Sequence, residues 1–285
     1  SDCLVGSEMC IRDRNKNLPL SNIVVLDLTN VLSGPFATQI LSDLGAEIIK
    51  VEKPKGDDSR KFGPFIKKRS SYFISLNRGK KSIVVDFNNE EDKKIFKKLL
   101  AISDVIIDNF KPGTLEKYGF SSSYLKKNFP LLIQTKISGF GETGPLKENP
   151  AYDMIVQAMG GIMSITGKDK NETYRVGSSI GDIVAGLYAV IGVLTQIIFR
   201  NQSKKGSRLD LSMLDCQVAI LENAIARYSV EKKIPCPLGT DHPSITPFGA
   251  FKTLDGTLAI AIGNNKMFKD FCYSIKNEEL HKKKK

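Results

Sequence analysis

The sequence predicts an α/β fold built on a parallel sheet, with the start of a smaller α+β domain behind it. Three observations carry that prediction. Apolar runs of strand length recur at residues 23–28, 47–52, 82–87, 104–108 and 131–137, separated by helical pattern or loop. The first is nearly continuous in apolar residues, as suits a parallel strand covered on both faces. Near residue 234 the texture changes to a proline-rich loop followed by a hairpin signature.

Taken in order, residues 23–28 (IVVLDL) form the first strand and residues 29–33 a loop. Gly34-Pro35 then opens a helix through Ala46, with Pro35 suited to its first turn. EIIKVE, residues 47–52, is the second strand, and this βαβ unit implies a right-handed crossover. SIVVDF, residues 82–87, is a third strand. Asn88 or Asn89 caps a helix from Glu90 to about Ile102, with acids in its first turn. Residues 104–108 and 131–137 are further strands, and residues 138–150 form a Gly/Pro-rich loop. Residues 152–159 are a short helix, residues 208–212 alternate as a strand, and residues 214–232 read as one long helix. Asp255-Gly256 then joins two short strands as a hairpin.

Residues 183–199 contain no charge, which is the lower limit for a membrane span. Flanked by α/β pattern, this stretch is expected to be a buried core helix. At the start, SDCLVGSEMCIRDR has neither periodicity nor the apolar stretch of a secretory signal. The expected organisation is an extraneous or disordered segment at residues 1–17, a large domain at 18–233, and a linker with the beginning of a truncated small domain at 234–285.

Composition narrows the chemistry. The five cysteines are scattered without a CxxC pair, which fits a reduced, cytoplasmic setting. Two histidines, His242 and His281, leave little room for zinc sites or a Ser-His-Asp triad, so no metal is expected. The net charge is +11, but the basic residues are dispersed and not interleaved with aromatics. That pattern favours a small polyanionic ligand over nucleic acid.

Candidate positions cluster in loops after strands, where open α/β sheets bind ligands. The loop Asn30-Val31-Leu32-Ser33-Gly34-Pro35 has one glycine, not GxGxxG, so a dinucleotide reading rests on Glu52 alone. The basic turn Asn77-Arg78-Gly79-Lys80 can surround a phosphate or can be a solvated turn. Asn109-Phe110-Lys111-Pro112-Gly113 lines a crevice or is a turn set by Pro112-Gly113. Asp182 precedes the long apolar helix. It is either a helix N-cap or a partly desolvated carboxylate made nucleophilic by loss of water.

Seven stretches together resemble the family III CoA-transferases, the CaiB/BaiF family. They are VLDLTNVLSGPFATQILSDLGAEIIKVEKP, SLNRGKKSIVVDF, DVIIDNFKPGTLEKYGF, ISGFGETGP, PAYDMIVQAMGG, GDIVAGLYAVIGVL and HPSITPFGAF, in family order. The resemblance implies a Rossmann-like large domain that binds coenzyme A, a small domain, and an interlocked homodimer of the full-length protein. It implies a CoA-transferase acting on an acyl-CoA of the succinyl-CoA kind and a small carboxylate. No cofactor is permanently bound, and neither nucleic acid nor membrane is a partner. Asp182 is then the nucleophile, forming a mixed anhydride and afterwards an aspartyl-CoA thioester. Tyr152, Asp153 and Leu32 lie near it. Val31, Lys53, Asn77, Arg78, Lys80, Asn109, Phe110 and Lys117 match CoA-contacting positions. Lys117 replaces an arginine of formate-transferring members and loses the bidentate fork. Leu32 replaces their glutamine, which points away from formate and oxalate. The alternatives are an α-methylacyl-CoA racemase-like epimerase, or a CoA-binding fragment without turnover. Tyr152 stands where racemases carry a basic histidine, and a phenol of pKa about 10 suits that role poorly.

Overall fold

The computed structural model describes residues 18–282; the segment 1–17 set aside above lies outside the described residues. The chain divides into two compact units. One contains the residues up to Gly160 together with Gly177–Ile220, and the other contains Gly161–Val176 and the residues from Leu221 onward.

The first unit is built on six strands: β1 (Val24–Asp27), β2 (Glu47–Glu52), β3 (Lys81–Val84), β4 (Val105–Asp108), β5 (Ile133–Ser138) and β6 (Arg208–Ser212). Its helices are α1 (Ser33–Asp43), α2 (Ser71–Asn77), α3 (Glu90–Ala101), α4 (Thr114–Lys117), α5 (Ser122–Asn128), α6 (Asp153–Met159), α7 (Ile180–Ser203) and α8 (Met213–Ala219). The sheet order is β3-β2-β1-β4-β5-β6, and every pairing is parallel. The winding reverses between β1 and β4, which puts a topological switch point at their carboxyl ends.

Alternation along the strands builds a core on each face. Val25, Ile48, Val105 and Ile107 join Ala37 and Leu41 of α1 and Val184, Ala185, Ala189 and Val193 of α7 in one cluster. Leu26, Val51 and Ile106 join Phe96, Leu100 and Phe120 in the other. The second cluster contains edge-to-face aromatic pairs, Phe87 with Phe96 at 5.0 Å and Phe96 with Phe120 at 4.8 Å.

Helix α7 is long and apolar enough to cross a membrane by composition. One stripe of it, Gly181, Val184, Ala185, Gly186, Ala189, Val190, Val193 and Ile197, is nevertheless buried. Leu187, Ile191, Ile198 and Phe199 on its other side are exposed.

The helix expected over residues 214–232 is broken. It comprises α8, ending at Ala219, and a separate helix Glu222–Glu231. The Ile220 N–H donates to the backbone carbonyl of Gln217, three residues back, which tightens the last turn and ends α8. No glycine or proline marks the break, so apolar periodicity runs through it.

In the second unit, Phe248–Lys252 pairs antiparallel with Thr257–Ala261, and Asn264 caps the helix Asn265–Ser274 through Met267 N–H.

Candidate active site

The site begins with the loop leaving β1. Asp27 is fully buried at the strand end and accepts bonds from the Thr29 N–H and hydroxyl, the Thr38 hydroxyl and the Lys80 ammonium. Burial alone would raise its pKa, but Lys80, Lys50 and the two hydroxyls outweigh that and hold it well below the usual range. Next along, Lys50 donates to the Thr29 carbonyl at 2.7 Å and pairs with Asp57 at 3.0 Å. Asn109, just beyond β4, clasps Asn30 from both sides: Asn30 N–H donates to its Oδ1 at 2.9 Å, and its Nδ2 donates to the Asn30 carbonyl at 2.8 Å. The switch point between β1 and β4 is therefore closed by a side-chain amide that mimics a peptide. Val31 follows with φ +67°, left-handed in a β-branched residue.

Gly34 lets the loop turn tightly into α1, because a Cβ there would lie 2.2 Å from Thr29 Cγ2. Helix α1 has no side-chain cap and no acid in its first turn. The anion at its N-terminus comes instead from α7: Asp182 lies beside the Ser33 hydroxyl and N–H, which favour its ionised form.

Asp182 is the third residue of α7, whose N-cap is Ser179, so the N-cap reading of Asp182 does not hold. Its placement follows from Gly186 one turn later on the same face. A Cβ at Gly186 would lie 2.7 Å from the Ser33 carbonyl oxygen and 3.0 Å from Phe36, so the two helices touch backbone to backbone. A second restraint comes from α6, where Asp153 Oδ1 accepts the Gly181 N–H at 2.9 Å and Oδ2 accepts from Gln157 Nε2 at 2.8 Å. Burial, and after it the Asp153 carboxylate, push Asp182 up to about 6, while the Ser33 bonds pull the other way. At neutral pH the group is ionised yet poorly hydrated, the condition that makes a carboxylate nucleophilic.

Tyr72 on α2 completes the surroundings. It is half-buried, and burial together with the nearby Asp182 and Asp57 carboxylates raises its phenol pKa, so it stays a neutral donor. Sequence reasoning missed Tyr72; its only local signal is an aromatic residue shortly before the basic turn. Ser33 and Gln157 were also missed as site residues, because their roles depend on helices brought together from distant segments.

The other expected residues divide by position. Leu32 immediately precedes α1, and Tyr152 caps α6 with its side chain 81% exposed. Lys80 is turned inward, its side chain only 2% exposed, and donates to Asp27, Thr38, the Pro35 carbonyl and Asn77. Burial lowers its pKa to about 8. Asn77 takes that bond and donates to the Phe73 carbonyl, while Arg78 pairs with Asp43 at the surface. Lys53 pairs with Asp58 in solvent. Phe110 is half-buried against the second core cluster, and Lys117 is exposed at the end of α4. Glu52, the residue behind the dinucleotide reading, is engaged internally by Arg60 Nε and Nη2, the Asp57 N–H and the Ser82 hydroxyl. Its role is to hold the 57–60 turn, not to await a ribose.

Comparison with known proteins agrees with this architecture. The family model "CoA-transferase family III" matches residues 20–285. An acetyl-CoA:oxalate CoA-transferase of Acetobacter aceti is 42% identical over 92% of this chain and 68% of its own length. The succinyl-CoA:glutarate CoA-transferase of Homo sapiens is 40% identical over 94% of this chain and 62% of its own. This chain thus spans about two thirds of the length of such relatives. A CAIB/BAIF family protein from Brucella suis superposes with a TM-score of 0.85 at 40% identity, covering 94% of this chain and 72% of that one. With a parallel sheet wound outward from β1 and a half-buried carboxylate at the N-terminus of the helix after that strand, the chain belongs to CoA-transferase family III.

Proposed function

We propose that the full-length protein moves coenzyme A from an acyl-CoA of the succinyl-CoA kind to a small carboxylate, with Asp182 as the covalent nucleophile. The carrying observation is the Asp182 carboxylate, half-buried on the N-terminus of α1 with its pKa lifted to about 6. An Asp182 oxygen attacks the thioester carbonyl, the C–S bond breaks, and CoA thiolate leaves a mixed anhydride. The thiolate attacks the Asp182 acyl carbon, expels the donor carboxylate and forms an aspartyl-CoA thioester. The acceptor carboxylate attacks that carbon in turn and releases thiolate, which then takes the acceptor acyl group and frees Asp182. Each step exchanges one acyl bond for another, so no ATP is consumed. The Ser33 hydroxyl and N–H stabilise oxyanion charge at Asp182, and Tyr72 is a further neutral donor.

The acceptor is a small dicarboxylate. Relatives named for oxalate and for glutarate are both 42% identical to this chain, so overall similarity favours neither acceptor. The reading includes a homodimer, supported by the exposed apolar side of α7 at Leu187, Ile191, Ile198 and Phe199. The test is incubation of the full-length protein with succinyl-CoA and labelled oxalate or glutarate. Label appearing in a CoA thioester supports transfer. Solvent deuterium entering an α-carbon without such exchange supports an epimerase, and binding without turnover removes both.

A further inference from the structure

We propose that Asp57 is a positioning residue for this reaction: it locks Val31 in its left-handed backbone conformation and so keeps Ser33 seated on Asp182. The inference rests on the transfer reading above. Left-handed φ is disfavoured for L residues and most of all for β-branched ones, so Val31 adopts it only because its surroundings impose it. The direct restraint is the Val31 N–H, which donates to Asp57 Oδ1 at 3.2 Å. That oxygen is itself fixed by the Ser59 N–H at 2.9 Å and hydroxyl at 2.6 Å. The other oxygen faces Lys50 at 3.0 Å, and Lys50 also grips the Thr29 carbonyl two residues before Val31.

Asp57 is 1% exposed, so this carboxylate is committed entirely to internal partners. Only Leu32 lies between Val31 and Ser33, and Leu32 contributes no side-chain cap to α1. The direction in which α1 starts, and with it the aim of the Ser33 N–H and hydroxyl, is therefore set by the backbone at Val31. If Val31 relaxed to an extended conformation, Ser33 would turn away from Asp182.

The test uses the full-length enzyme and compares Asp57→Ala in the native and the Val31→Gly backgrounds. Glycine adopts the left-handed conformation without help, so it should remove the need for Asp57. In the native background Asp57→Ala should lower kcat by roughly tenfold to a hundredfold, the loss typical of a small misplacement of reacting groups. The acid limb of the pH–rate profile should also move to higher pH, because the Ser33 hydroxyl and N–H that lower the Asp182 pKa are turned away from it. Asp153, which faces Asp182, keeps its charge in every variant, and Tyr72 loses the Asp57 charge equally in both backgrounds, so neither accounts for a difference between them. In the Val31→Gly background the same substitution should cost less than about threefold. The pair Lys50→Met/Asp57→Ala leaves no buried ammonium unpartnered and carries the same expectation, should the single variant fold poorly. Equal losses in both backgrounds with a stationary acid limb would overturn the proposal and make Asp57 a structural residue only. An enzyme whose native form transfers no CoA would instead refute the function on which the proposal rests.

Discussion

The Asp153 carboxylate accepts the backbone N–H of Gly181 at 2.9 Å, so one acid both pins the residue before Asp182 and raises Asp182 by its charge. Holding and tuning of the nucleophile are thus coupled through a single side chain.

That coupling predicts a pH dependence. Transfer needs ionised Asp182, so the rate should fall as pH drops through about 6 and level off above it. Asp153→Asn removes the neighbouring charge while keeping an oxygen for the Gly181 N–H. It should move the acid limb to lower pH, measured as kcat against pH in the full-length enzyme.

Stability should show the opposite preference. The folded pKa of Asp182 lies above its unfolded value, so the folded state binds the proton more tightly and this group's contribution to stability declines as pH rises from about 4 to 6. Asp182→Asn mimics the protonated form. At pH 7.5, a value about one and a half units above that folded pKa, it should be more stable than the native chain by on the order of 1 kcal/mol after allowance for solvent screening. The gain should vanish near pH about 4, with both arms read by denaturant unfolding.

Gly186→Ala sets helix propensity against packing. Propensity alone would favour alanine by about 1 kcal/mol. The new Cβ would meet the Ser33 carbonyl oxygen at 2.7 Å, and this atom is backbone in α1 that cannot easily yield. The expected net result is a destabilisation of about 1–3 kcal/mol together with a lower kcat, because α7 carries Asp182 away from Ser33. Thermal unfolding and steady-state kinetics on one preparation check both effects.

Much of the first unit was legible in the sequence. The strands Glu47–Glu52 and Arg208–Ser212 fall where their patterns put them, and Asn89 caps α3 with three acids in the first turn. These features are local, set by apolar periodicity and capping chemistry. The end of the helix expected over residues 214–232 was not legible, since its break at Ile220 and Leu221 leaves no mark in composition. Nor was the inward turn of Lys80. A lysine in a basic turn reads as a phosphate ligand until the fold brings Asp27, Thr38 and Asn77 around it. Asn109 is similar: its motif placed it at the switch point, but only the structure joins its amide to Asn30.

The hairpin Phe65–Ile66/Arg69–Ser70 offers a test independent of catalysis. Its two-residue turn holds Lys67 at φ +47° and Lys68 at φ +64°, where Asn-Gly is strongly preferred. Replacing both, Lys67→Asn with Lys68→Gly, should stabilise the chain by about 1–2 kcal/mol and leave transfer unchanged. Chemical denaturation with a parallel activity assay decides it.

The central claim is that Asp182 becomes acylated. Full-length enzyme is mixed with acyl-CoA, treated with hydroxylamine, and mapped by peptide mass spectrometry. The account predicts a hydroxamate on Asp182 that is absent without acyl-CoA and absent in Asp182→Ala, a variant that still binds CoA but no longer exchanges it. CoA exchange that persists in Asp182→Ala, or a hydroxamate found on another residue with Asp182 unmodified, would contradict it.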